Sequence, residues 1–144
     1  LPPIVQFTSI GRNDSLRNAI ETGEFVISLA NRQMFKQINA SGTNLPPEVD
    51  EFSQIGIERE DSSLVKPARV AGSPAAIECL TERSVEFEHS VVVFGRVVAI
   101  AVDEKAFEGG HPEIRRLGPL ARLGRDEWSE IGELHQAARI PYEG

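Results

Sequence analysis

"SVVVFGRVVAIAVDE", residues 90–104, decides the fold. It is rich in β-branched residues and apolar on nearly every residue until Asp103. A run of this kind predicts a strand buried on both faces, and a buried outer face suggests a subunit interface. Gly95 inside it predicts a bulge or sharp bend, as at a barrel corner. "AAIECLTERSVEF" (75–87) is a second long β-rich run, and the intervening "EFEH" is either a hairpin tip or part of a strand. Two further strands are expected, "PIVQFTSI" (3–10) and "EFVISLA" (24–30). The economical reading is an antiparallel barrel decorated by short helices.

Those helices are predicted at 14–22, 31–40 and 47–56. Asp14 suits the first N-cap, Leu16, Ala19 and Ile20 give one apolar face, and Gly23 fits the position after the last turn. Asn31 is the candidate cap of the second helix. The third starts near Pro47, repeats Val49, Phe52 and Ile55, and stops at Gly56. "DEWSEIGELHQAARI" (126–140) is either a helix with Trp128, Ile131, Leu134 and Ala138 on one face, or an extended segment weakened as a helix by Gly132.

The chain has 144 residues, 40% of them hydrophobic, which suits one domain with a core. Its net charge of −7 and scattered arginines argue against nucleic-acid binding. Cys79 is the single cysteine, so no intrachain disulfide forms, and its apolar neighbours suggest a buried, inert role. His89, His111 and His135 lack ligand spacing, so no metal site is expected. The longest apolar run is too short for a membrane span and carries Arg96. A cytoplasmic protein is the expectation. The chain opens Leu-Pro-Pro rather than Met, so the first strand is expected to lack neighbours.

Chemistry-bearing motifs are sparse. No GxSxG elbow accompanies the serines and histidines, and no GxGxxG joins a strand to a helix. "RRLGPLARLG" (115–124) is either a turn-rich connector or a loop over a ligand. Trp128 and Tyr142 either pack or stack on a planar ring. Residues 9–16 are the densest polar cluster. Ser9, Asn13 and Ser15 offer side-chain hydrogen bonds, Arg12 a charge-assisted pair, and a helix start adds N–H groups and a favourable dipole. Asp14 is an awkward anion ligand and better suited to ordering the helix start. By local chemistry the cluster is an ordinary helix cap.

The order of these stretches resembles the flavin reductase-like family of FMN-binding split barrels. That family has a phosphate-contacting Arg-Lys-Asp-Thr, then Leu-x-Asn and Thr-Gly-Glu-Phe-Val. The matching residues are Arg12, Asn13, Asp14, Ser15, Leu16, Asn18, Thr22, Gly23, Glu24, Phe25 and Val26. "PPEVDEF", "VKPARVAGSPAAIEC", "VVFGRVVAIAVDE" and "LARLGRDEW" are similar to later family stretches, in consistent order from about residue 3 to 142. Asn13 replaces the usual Lys, Ser15 replaces Thr and Ser28 replaces Asn. The family's early barrel strands, including a segment contacting the isoalloxazine ring, have no counterpart in this chain.

The resemblance implies a mainly β, antiparallel split barrel spanning residues 1–144 and forming a homodimer with flavin near the interface. It implies FMN, or FAD, as cofactor and NAD(P)H-dependent flavin reduction or a related flavin oxidoreductase activity. Arg12, Asn13 and Ser15 are the implied phosphate contacts, with Asp14 ordering the helix and Ser9 near the phosphate or ribityl chain. Arg122 and Gly124 are implied in a C-terminal loop near the flavin. No general acid or base stands out. The other class is a non-catalytic flavin-binding protein, or a dimer without flavin.

Overall fold

A computed structural model describes residues 2–43, 46 and 49–142. In chain order the elements are β1 (Ile4–Ile10), α1 (Asp14–Thr22), β2 (Glu24–Ser28), a 3₁₀ turn (Arg32–Met34), α2 (Phe35–Ser41) and α3 (Glu51–Ile55). Then follow β3 (Arg59–Glu60), β4 (Arg69–Val70), β5 (Ala75–Glu86) and β6 (Ser90–Val102). The chain continues through a 3₁₀ turn (Glu104–Ala106), β7 (Phe107–Glu108), β8 (His111–Pro112), α4 (Ile114–Leu117), β9 (Leu120–Arg122) and β10 (Trp128–Glu130). The expected Pro47 start of the third helix lies outside the described residues.

The centre is a four-stranded antiparallel sheet in the order β1-β6-β5-β2. β5 and β6 form the long hairpin expected from their composition, and "EFEH" is its tip: the Phe87 N–H donates to Ser90 O at 2.7 Å. The register slips twice, between Glu78 and Cys79 and between Thr81 and Arg83. Such bulges add twist and curl the sheet into half a barrel.

Gly95 sits opposite Thr81, beside the second slip. Its more direct cause is steric. A Cβ there would lie 2.3 Å from the Phe25 Cζ and 3.0 Å from the Cys79 Cβ. The Phe25 ring therefore rests on the bare backbone of β6, with Phe7 edge-on to it at 5.2 Å. Leu16 and Ala19 of α1, Phe25, Cys79, Val91 and Val93 complete the buried core. Burial raises the Cys79 thiol to about 11, so it stays protonated and unreactive near neutral pH.

The expectation that β6 is buried on both faces holds for one face only. Val91, Val93 and Gly95 are buried, whereas Val92 and Phe94 are half-buried and Ile100 is 60% exposed. The core supplied by α1 and β2 covers one side of the hairpin. The other side is covered at the start of β5 by the 61–70 loop.

That loop is held by carboxylates and hydroxyls. Glu78 is fully buried, and its two oxygens accept the N–H groups of Ser63 at 2.8 Å and Leu64 at 2.7 Å. Glu24 accepts the Lys66 N–H at 2.8 Å and Ser28 Oγ accepts that of Val70 at 3.2 Å. Burial acts to raise the Glu78 carboxyl, but the two N–H donors and Arg69 outweigh it and hold it below the ordinary range. β10 is a strand and residues 131–142 form neither helix nor strand, so of the two readings of 126–140 the helical one is not realised. Gly132 interrupts it, and the stretch finds no surface to bury its apolar side: Ile140 and Tyr142 are exposed.

Two outcomes follow from this packing. Gly95→Ala should destabilise the protein by about 1–3 kcal/mol in denaturant unfolding, because a rigid ring must move. Phe25→Leu in the same chain should recover part of that loss. Glu78→Gln should lose about 1–3 kcal/mol at neutral pH, because the amide turns a donor toward one of two N–H donors. A depressed carboxyl stabilises above its unfolded value and ceases to do so as pH falls through its folded value. Wild-type stability should therefore fall below about pH 4, and the Glu78→Gln profile should be flatter there.

Candidate functional site

The Arg12–Ser15 segment links the edge strand β1 to α1. Ser9 closes β1: it is buried and its hydroxyl donates to Gly11 O at 3.0 Å. Gly11 turns the chain with φ +70°, its N–H donating to His89 O at 3.0 Å in the β5–β6 tip. The helix cap is Asn13, not Asp14. Asn13 is extended (φ −98°, ψ 172°) and its Oδ1 accepts the Leu16 N–H at 2.9 Å. Asp14 is the first helical residue and pairs with Arg17 at 2.9 Å. An amide accepts this bond as well as a carboxylate, and Asp14 gains a cation one turn on.

Arg12, Asn13, Asp14 and Ser15 line one wall of a polar cleft of about 580 Å³. Ser41, Gly42 and Thr43 at the end of α2, with Glu51 of α3, line the other. On its far side, Arg12 also borders a groove of about 330 Å³ floored by Leu16, Ile20 and Val91. The Arg12 guanidinium is held there by Glu86 at 3.2 Å, both side chains being exposed.

The donor set suits a phosphate monoester. The N–H groups of Asp14 and Ser15 open the helix and have no intrahelical acceptor by geometry. Ser15 and Asn13, which carry a hydroxyl and an amide N–H₂, line the same wall, and Arg12 borders it with its guanidinium paired to Glu86. Asp14 is neutralised by Arg17 rather than facing an anion alone. Ser9 differs: its proton is engaged by Gly11, and it shapes the turn that presents Arg12. The residues that sequence reasoning missed are Glu86 and the Ser41–Thr43 wall. Both arrive through pairing and packing distant in sequence, and only the acidic hairpin tip was a signal.

Arg122 and Gly124 lie elsewhere. The β9–β10 hairpin packs on the 30–37 segment: Leu120 N–H donates to Ala30 O at 2.9 Å, and Arg32 pairs with Glu130 at 3.2 Å. The Arg122 guanidinium stacks on Trp128, 5.4 Å from its centroid. Gly124 occupies the hairpin turn, where Arg125 takes the left-handed conformation at φ +60°. Neither Arg122 nor Gly124 lines the Arg12 cleft. Among the described residues, no cluster of three or more His, Cys, Asp or Glu is arranged to hold a metal ion. No described helix is long and apolar enough to cross a membrane.

Known proteins resemble this chain in sequence and in fold. An uncharacterized protein of Halalkalibacterium halodurans is 30% identical over 144 aligned residues, covering 92% of this chain and 68% of that one. The chain spans about two thirds of the length of the curated relatives it matches. Nitrilotriacetate monooxygenase component B from Bacillus cereus has a similar structure (TM-score 0.88), with 28% identity over 94% of this chain and 72% of that one. A putative flavin reductase with a split barrel domain from Shewanella frigidimarina shares the fold at a TM-score of 0.79 and 21% identity, covering 98% of this chain and 71% of that one. The curled, mainly β sheet with short helices is thus a split-barrel fold. The family model of the flavin reductase like domain matches residues 1–121, and the chain belongs to that family.

Proposed function

We propose that the chain binds FMN, its phosphate held at the Arg12–Ser15 wall, and serves NAD(P)H-dependent flavin reduction or a closely related flavin oxidoreduction. The observation that carries this reading is the convergence of Arg12, Asn13, Ser15 and the α1 N-terminus on one cleft, in a chain of the flavin reductase like family. The flavin would supply hydride acceptance and onward electron transfer. The chain's part is positioning: Arg12 neutralises the phosphate, Ser15 and the first helical N–H groups orient it, and Asn13 keeps the helix start in register. No proton-transfer residue is required, because hydride transfer depends on stacking and distance. FAD would be accepted if the cleft leaves its second phosphate in solvent.

In the same reading the whole 1–144 stretch is one unit that works as a homodimer in the cytoplasm, with the half-open face around Val92 and Phe94 against the partner. The Arg12–Glu86 pair favours a flavin that exchanges rather than one held permanently. An incoming phosphate must displace the Glu86 carboxylate from the guanidinium. That makes Glu86 an affinity-setting residue.

Titration of FMN, followed by its visible absorbance, tests the proposal. Arg12→Ala should weaken binding by at least about tenfold, the loss expected for one charge-assisted hydrogen bond. Glu86→Gln should tighten binding by up to about fivefold, the scale of one surface ion pair. Unchanged affinity in Arg12→Ala would remove the phosphate assignment. If FMN binds, anaerobic bleaching by NADH or NADPH should follow; a bound flavin that neither nucleotide bleaches would favour a carrier.

A further inference from the structure

We propose that the cleft between α2 and the β9–β10 hairpin binds a planar aromatic carboxylate. The cleft measures about 610 Å³, within the ordinary range of small-molecule sites. Its walls include Arg32, Phe35, Lys36, Leu120, Trp128 and Glu130. It shares no lining residue with the Arg12 cleft. The proposal therefore does not rest on the flavin phosphate assignment.

The aromatic wall is fixed in place. Phe35 and Trp128 meet at a centroid distance of 5.3 Å with their planes at 90°. Arg122 lies over the Trp128 ring at 5.4 Å, which restricts its rotation. Phe35 begins α2 yet is 40% exposed, so its ring is offered to the cleft rather than spent on the core. Leu120 adds an aliphatic contact. Such a surface gains most from a flat ring, which can stack or meet the rings edge-on.

The charged groups select the substituent. Glu130 is already paired with Arg32 at 3.2 Å. Lys36 has no carboxylate at ion-pair distance among the described residues, and it is the cation left for a ligand. A cationic cleft on a chain with a net charge of −7 stands out from its surroundings and draws anions. A carboxylate at Lys36 with a ring against Trp128 satisfies both features.

Trp128 is the single tryptophan, so its indole N–H signal in a nitrogen-edited NMR spectrum of the isotope-labelled full chain reports on this cleft alone. Benzoate should shift that signal saturably. Cyclohexanecarboxylate, which keeps the charge and loses the flat ring, should bind at least about fivefold more weakly. Lys36→Gln should weaken benzoate by about fivefold or more while leaving the binding of neutral benzamide unchanged. Lys36 is exposed, so this variant keeps the fold. The proposal is overturned by a benzoate response that does not saturate, by equal binding of cyclohexanecarboxylate, or by an unchanged benzoate affinity in Lys36→Gln. FMN binding is read from a different signal, so the two readings fail separately.

Discussion

The structure depends on one close approach, the Phe25 ring lying on the bare backbone of Gly95. The core strand β6 is flanked by β1 and β5, and β2 reaches the sheet only through β5. Phe25 lets β2 pack inward across β5 onto β6, a contact that any side chain at position 95 would block. Because α1 runs directly into β2 through the left-handed Gly23, the same contact anchors the end of α1. The Arg12–Ser15 wall then rests on the packing of α1, whose Leu16 and Ala19 are buried in the same core.

A second constraint acts on the opposite face. Glu78 is a charge removed from water, and a buried carboxylate is tolerated only when its lone pairs are met. Two backbone N–H groups and Arg69 meet them and tie the 61–70 loop to the sheet. Cys79, next in sequence, points into the apolar core on the other side. The ordinary alternation of side chains along a strand lets β5 serve a polar clamp and a greasy core at adjacent positions.

The two clefts illustrate how a split barrel divides its chemistry. One is polar and opens at a helix start, where the first helical N–H groups, Asn13 and Ser15 gather beside Arg12. The other is aromatic and is built where a late hairpin packs on α2. α2 connects them, with Phe35 at one end and Ser41 at the other. Glu86, at the end of β5 beside the hairpin tip, pairs with the Arg12 guanidinium at 3.2 Å.

Much of this was legible in the sequence. β-branched runs at 75–87 and 90–104 can bury their side chains only as strands, and "DSLRNAIET" between a polar start and a glycine is a short helix. The order of the motifs indicated the family, and the Arg12–Ser15 cluster stood out by composition. The cap was misassigned because Asn and Asp serve equally well there; neighbouring Arg17 decided the matter by drawing Asp14 into the first turn. The two-sided burial of β6 was overstated because composition records how apolar a strand is, not what covers it. Only tertiary structure could set Glu86 against Arg12 and place Ser41–Thr43 across the cleft. These are pairings between residues far apart in the chain, fixed by strand register and packing, and local sequence chemistry does not encode which distant partner arrives.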